Sequence, residues 1–326
     1  MDMPPNSPTP DYGTLGPGSD VKPSTGISLR ISATTAKQPR PAQVALSSIR
    51  IALAMMAGTM TLGAAFFYTQ SLARRDHGID NGARAASPSR SSRRLQPAAQ
   101  RDAEQLLQRA AANDVAAAEQ IEARAATWRG QIALTPQLTH LITAGLNAND
   151  LRARAATIQL DLAAMNVDPN AATVDRLAAQ ADSTNHATRI WAIWTLGLVA
   201  NRGIEQERIT ELLIAHLADP DVDSRHWAVE GLSYVATDAV IPPLLKTMHD
   251  DASPVVRERA ACALAQSGML TDQQRRSTIP TLLTYAEDPS LNAQTHAWTY
   301  HALRDITAQK LPDDAGAWRN WYSSSR

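Results

Sequence analysis

The sequence predicts an all-α fold, an α-solenoid of five to six helical hairpins, on three observations. From residue 99 onward the chain is rich in Ala and Leu and lacks the period-two alternation of strands. Two apolar helix patterns recur there in fixed order, and Asp-Pro and Asn-Asp steps punctuate them. A hairpin carrying such a stripe cannot cover it alone, so neighbours must stack to complete a shared core.

The first helix pattern is I-x-x-L-L: Ile209 with Leu212 and Leu213, Ile241 with Leu244 and Leu245, Ile279 with Leu282 and Leu283, and looser copies from Leu138 and Val174. The second is R-x-x-A-x-x-x-L: Arg189, Ala192, Leu196; Arg225, Ala228, Leu232; Arg257, Ala260, Leu264; and a degenerate copy with His296, Thr299 and Leu303. Marker to marker, the first helix precedes the second by 22, 22, 23, 23 and 24 residues, which puts five hairpins in register. The return connection is looser, 9 residues from Leu232 to Ile241 but 15 from Leu264 to Ile279, as expected where insertions collect in loops. Asp219-Pro220, Asp251 to Pro254 and Asp288-Pro289 supply caps between the helices of a pair, and Pro242 and Pro280 sit in first turns, where no amide donor is needed. Residues 99–130 read as a degenerate first pair. Residues 308–326 read as a terminal cap, with Trp318 and Trp321 closing the last hairpin.

The first third of the chain is organised differently. Residues 1–49 are dense in Pro, Ser, Thr and Gly and hold too few large apolar side chains to offset ordering, so a disordered tail is expected. Residues 50–70 contain the uncharged run IALAMMAGTMTLGAAFFYT, about the ~20 apolar residues that a membrane-spanning helix needs, with Phe66, Phe67 and Tyr68 where an interfacial belt belongs. Two readings of this run stand. One is a single-pass transmembrane helix. The other is a secretory signal cleaved after Ser71-Leu72-Ala73, which would release the protein, although nearly fifty preceding residues are long for a signal. Lys and Arg flank the run on both sides, which leaves the membrane orientation open. Residues 71–98 form a basic Ser/Arg-rich linker.

Charge separates the two parts. Residues 1–98 hold 11 Lys and Arg against 5 Asp and Glu, and the remainder holds 20 against 27. The acidic repeat region argues against a nucleic-acid partner. Cys262 is the one cysteine, so no internal disulfide can form.

The segments DPDVDSRHWAVEGLSYVATDAVIPPLLKTMHDD and ASPVVRERAACALAQSG resemble HEAT repeats of the short bacterial kind, including those of phycobilisome lyases. The resemblance spans about residues 135 to 307 and is strongest from 187 to 288. It implies an armadillo-type scaffold that binds a protein or peptide, with the second helices lining the concave face. It also implies that Arg189, Arg225 and Arg257 reach aspartates near the turns, with Asp182, Asp219 or Asp221, and Asp250 or Asp251 available. The lyase subgroup implies bilin attachment as an alternative activity, and structural membership of a larger complex is a third reading. No catalytic residue is carried over.

Residue chemistry gives no enzyme signature: there is no phosphate loop, nucleophile elbow or dinucleotide fingerprint, and an enzyme is not expected. No cofactor is expected. Asp219, Asp221, Asp223 and Glu230 match a calcium-loop spacing, but Ser224 stands where that loop turns on Gly, and the repeat places Glu230 on a helix, so helix capping accounts for the aspartates better. The histidines lack zinc-binding spacing, and no metal is expected.

The tryptophans form a column. Numbering each second helix from its arginine as zero, positions 0, 3, 4 and 7 face the core and positions 2, 5 and 9 face away. The outward face then carries Trp191, Trp194, Trp227, Glu230, Tyr234, Arg259, Trp298 and His301, the composition of an interface hot spot. These are the candidate partner-binding residues. An equal reading makes each tryptophan a seam filler between neighbouring helices.

Overall fold

The computed structural model describes residues 97–325. The expected tail, span and most of the linker lie outside the described residues. Within them every regular element is helical, and no helix is long and apolar enough to cross a membrane.

Six hairpins follow one another: α1 (Pro97–Ala111) with α2 (Val115–Trp128), α3 (Pro136–Leu146) with α4 (Leu151–Ala164), α5 (Ala171–Ala181) with α6 (His186–Asn201), α7 (Gln206–His216) with α8 (Val222–Tyr234), α9 (Ile241–Asp250) with α10 (Pro254–Ala265), and α12 (Ile279–Glu287) with α13 (Ala293–Thr307). A single 3₁₀ turn, Asp238–Val240, leads into α9, and a short helix α11 (Asp272–Ser277) fills the long return before α12. The second helices form one continuous layer in which α2, α4, α6, α8, α10 and α13 each pack on the next. Each first helix packs on its own second helix.

The two sequence patterns supply the core between the layers. Ile209, Leu213, Leu244 and Leu282 from the first helices meet Ala192, Leu196, Ala228, Leu232, Ala260 and Leu264 from the second, all fully buried. Alanine at position 3 lets the helices approach. Where α6 crosses α8 the approach is closer still, because Gly197 and Gly231 stand back to back.

Capping fixes the turns. Asp114, Thr135, Asp150, Asn170, Asn185, Asp221 and Asn292 each accept a hydrogen bond from a first-turn amide of the helix that follows. The aspartates expected as caps act one step earlier: Asp219, Asp251 and Asp288 accept from the amides of Asp221, Ser253 and Ser290 at 2.7–2.8 Å and so shape the turn itself.

The arginine ladder differs from expectation by one repeat. Arg189 does not take Asp182; its Nη2 donates to Asp221 of the next hairpin at 3.0 Å and its Nε to Ser224 at 2.9 Å. Arg225 likewise bypasses the carboxylates of Asp219 and Asp221 and holds Asp251 through two hydrogen bonds of 2.8 and 3.0 Å. The side chain leans back over the turn before its own helix and spends its remaining donors on carbonyls there, Ser183 for Arg189 and Asp219 for Arg225. The carboxylate therefore comes from the neighbouring turn. The third rung is broken. Asp288, next in the series, accepts from His249 at 3.0 Å, and the buried Nε of Arg257 has no partner among the described residues.

At the C-terminal end α14 (Ala315–Ser324) packs on α12 and closes the array, as the sequence suggested. Trp318 is fully buried, its indole N–H donates to the carbonyl of Pro312 at 2.9 Å, and Trp321 meets its ring edge-on at 5.8 Å.

Candidate functional site

The face assigned to positions 2, 5 and 9 is not uniformly open. Leu198, Glu230 and Tyr234 are buried, a correction to the outward reading of these positions. Glu230 is enclosed by the two partners of its carboxylate, Arg259 of α10 and the Tyr234 hydroxyl, and Leu198 and Tyr234 lie at the crossing of α6 and α8, where Gly197 brings the two backbones together. The tryptophans at positions 2 and 5 stay partly open: Trp191, Trp194, Trp227 and Trp298 are half-buried against the core. Trp194 at position 5 of α6 meets Trp227 at position 2 of α8 edge-on, with centroids 6.2 Å apart. The pair both seals the seam and leaves ring surface free.

The structure separates the eight candidate residues. Trp227, Glu230 and Arg259 line a cavity of about 820 Å³ on the second-helix layer, together with His226 and Cys262. Tyr234 lies behind that wall and donates its hydroxyl to Glu230 at 2.7 Å. Trp191 and Trp194 lie outside the cavity lining, as does Trp298. His301 is exposed and pairs with Asp305 at 2.9 Å, and Asp305 lies on the cavity rim.

Charge in the wall is organised around Glu230. Burial would raise its pKa, but the Arg259 guanidinium and the Tyr234 hydroxyl outweigh that and hold the carboxyl below its ordinary value. Burial is the largest single influence on Arg259 and lowers its pKa, but the charge of Glu230, the neighbouring Cys262 and Tyr234 and the hydrogen bond to Glu230 together outweigh it, so both stay ionised as a bonded pair. Arg259 also donates to Ser267 at 2.9 Å. Burial pushes the Cys262 thiol up and holds the His226 ring down, so neither is poised as a nucleophile or a cation.

The far wall was not legible in the sequence. Arg154, one residue past the repeat's arginine position on α4, is buried and reaches across to the loop after α10, donating to the carbonyls of Gly268 at 2.5 Å and Gln266 at 3.1 Å. Arg275 on α11 is equally buried and donates to the carbonyls of Leu264, Ser267 and Leu270. Gly268 permits the loop to dock. It adopts φ +74°, and a Cβ there would fall 2.2 Å from the carbonyl oxygen of Ser233. The one hint in the sequence was the 15-residue return that contains this loop.

The calcium-loop spacing dissolves in three dimensions, since Glu230 belongs to the Arg259 pair while Asp221 caps α8. One group among the described residues gathers three possible ligand atoms within 4.8 Å, those of His186, Asp221 and Asp223. Its central carboxylate, Asp221, already accepts from Arg189 and Ser224, so its charge is met without an ion.

A family model described as HEAT repeats matches residues 174–265, the hairpins from α5 to α10 that carry the arginine ladder and the cavity wall of Trp227, Glu230 and Arg259. This segment is built of HEAT repeats. The HEAT hairpins therefore include Trp191, Trp194, Trp227, Glu230, Tyr234 and Arg259, while Trp298 and His301 fall beyond the matched residues. No curated protein matches the chain.

Proposed function

We propose that the protein is a membrane-anchored, non-catalytic scaffold whose HEAT array receives a protein or peptide partner on its second-helix face. HEAT repeats generally mediate contacts between proteins. The observation that carries the reading is the placement of Trp227, Glu230 and Arg259 around one cavity, where an indole face, a bonded ion pair and backbone polar groups converge. The uncharged run at residues 51–69 supports the anchor, and the basic linker after it supports apposition to anionic head groups. The tether fixes the array near the bilayer and the linker sets its reach.

Crosslinking capture from native membranes tests this reading, with the Trp191→Ala/Trp227→Ala double variant as control. The scaffold reading expects a captured partner that the variant loses at nearly unchanged melting temperature. A large fall in melting temperature with capture retained assigns the tryptophans to the seam and removes the face from consideration. Recovery of the protein in the soluble fraction without its first seventy residues would overturn the anchor.

A further inference from the structure

Arg154 and Arg275 are the two most enclosed cations of the cavity, each only 7% exposed, yet neither forms an ion pair with a carboxylate among the described residues. Each guanidinium spends donors on three carbonyls and keeps further N–H groups of its five. The two are close enough that the charge of Arg154 lowers the pKa of Arg275, whose burial is the larger cause of its fall to about 10. Carbonyl dipoles neutralise no net charge, and buried cations without a counter-ion are costly. The carboxylates that share the lining do not supply one. Glu230 is held by Arg259 and Tyr234, Asp305 is exposed and pairs with His301, and Asp272, whose charge offsets part of the fall in the Arg275 pKa, is exposed to solvent and bonds to neither arginine. Apolar surface of Trp227, Leu151, Leu270 and Ile306 completes the wall, and the volume falls within the ~300–1,000 Å³ of sites for small ligands or a few residues of chain.

We propose that this cavity is a carboxylate-binding site, in which Arg154 and Arg275 receive the acidic group of a peptide while the apolar wall takes the neighbouring side chain. The inference rests on the peptide-binding reading above and names the chemistry that the partner must present. A guanidinium pair suits a carboxylate because parallel N–H groups match its two oxygens. The carboxylate comes from an acidic side chain or from a chain terminus, and these two sources can be told apart.

The test is calorimetric titration of the full-length protein with three pools of N-acetylated hexapeptides. One has a free C-terminus and no Asp or Glu, one is amidated with a single Asp or Glu, and one is amidated and free of acid. Binding at least tenfold tighter for the first pool assigns the terminus, and for the second an acidic side chain. Arg275→Gln should erase the preference. Because that arginine also holds the loop, Asn149→Asp and Asn149→Lys provide a second readout: Asn149 is an exposed rim residue, and the two changes should weaken and tighten carboxylate binding severalfold in opposite directions. Equal binding of all three pools, or no response to either charge at position 149, overturns the carboxylate site and leaves the scaffold reading standing. Binding of no pool while the native partner is still captured through Trp227 also overturns only this inference. Failure of both experiments removes both readings.

Discussion

Gly197 and Gly231 touch backbone to backbone where α6 crosses α8: a Cβ on Gly197 would lie 2.3 Å from the carbonyl oxygen of Gly231 and 2.5 Å from its Cα. No side-chain rotation relieves such a contact, because the obstructing atoms belong to a helix backbone. The two helices must separate, and the packing of Leu196 and Leu232 beside them separates too.

Gly197→Ala is therefore destabilising although alanine is the better helix former by about 1 kcal/mol. Overpacking costs of ~1–3 kcal/mol apply, and the rigid obstacle places this variant near the upper end, about 3 kcal/mol. Urea denaturation should show a lower midpoint with an unchanged slope. A midpoint equal to or above that of the unsubstituted protein would mean that the layer spreads without cost.

The ladder between repeats separates in the same way from surface pairing. Arg225 and Asp251 form a two-bond pair, with the carboxylate side chain only 5% exposed. Arg208 holds Asp175 and Glu205 in the open. Asp251→Asn removes the charge from an enclosed, doubly bonded acceptor and should cost about 2 kcal/mol. Arg208→Ala should leave stability unchanged within error, because exposed pairs are screened by solvent. Urea midpoints of the two variants check the contrast, and equal losses would defeat it.

What the sequence disclosed follows from which constraints are local. The I-x-x-L-L and R-x-x-A-x-x-x-L patterns had to recur because each hairpin buries the same stripe against its neighbour, so register and fold class were readable from Ile209 to Leu303. The partner of each arginine was not readable to the right repeat, since Asp219 and Asp251 look alike in sequence and only packing of adjacent turns selects one. The enclosure of Glu230 and Tyr234 depends on Arg259 of the next second helix and on the crossing of α6 with α8, which are relations between helices. The pairing of Arg154 with a loop 114 residues away depends on the path of the whole second-helix layer, which no local pattern encodes.

Asp161 supplies a pH-dependent test. It is 2% exposed on α4, and no hydrogen bond or ion pair among the described residues reaches its carboxylate; burial raises its pKa to about 7. The folded state thus holds a proton that the unfolded chain releases near pH 3.8, so stability falls as pH rises from about 4 to about 7. Asp161→Asn keeps the shape without the proton. The difference in stability between variant and parent should be small at pH 4.5 and on the order of 3 kcal/mol in favour of the variant at pH 8. Parallel pH profiles for the two proteins would show that the carboxylate is solvated after all.

His249 titrates in a higher window. Burial would lower its pKa, but hydrogen bonds to Asp288 and Asp250 outweigh it, and the folded value is raised above 6.5. Its pairing with Asp288, which replaces the missing third rung of the arginine ladder, is therefore complete below pH 6.5 and lost as pH rises through the folded value. Asp288 does not interfere over that range. Hydrogen bonds from Ser290 and His249 hold its carboxyl at about 2, so its own contribution disappears only in strong acid. His249→Gln should accordingly lower the melting temperature more at pH 6 than at pH 8.5, because only the imidazolium can bridge the two carboxylates of Asp250 and Asp288 with charge. If the variant loses the same amount at both pH values, the ring holds the junction by its tilted contact with Tyr285, 4.7 Å away, and not by its proton.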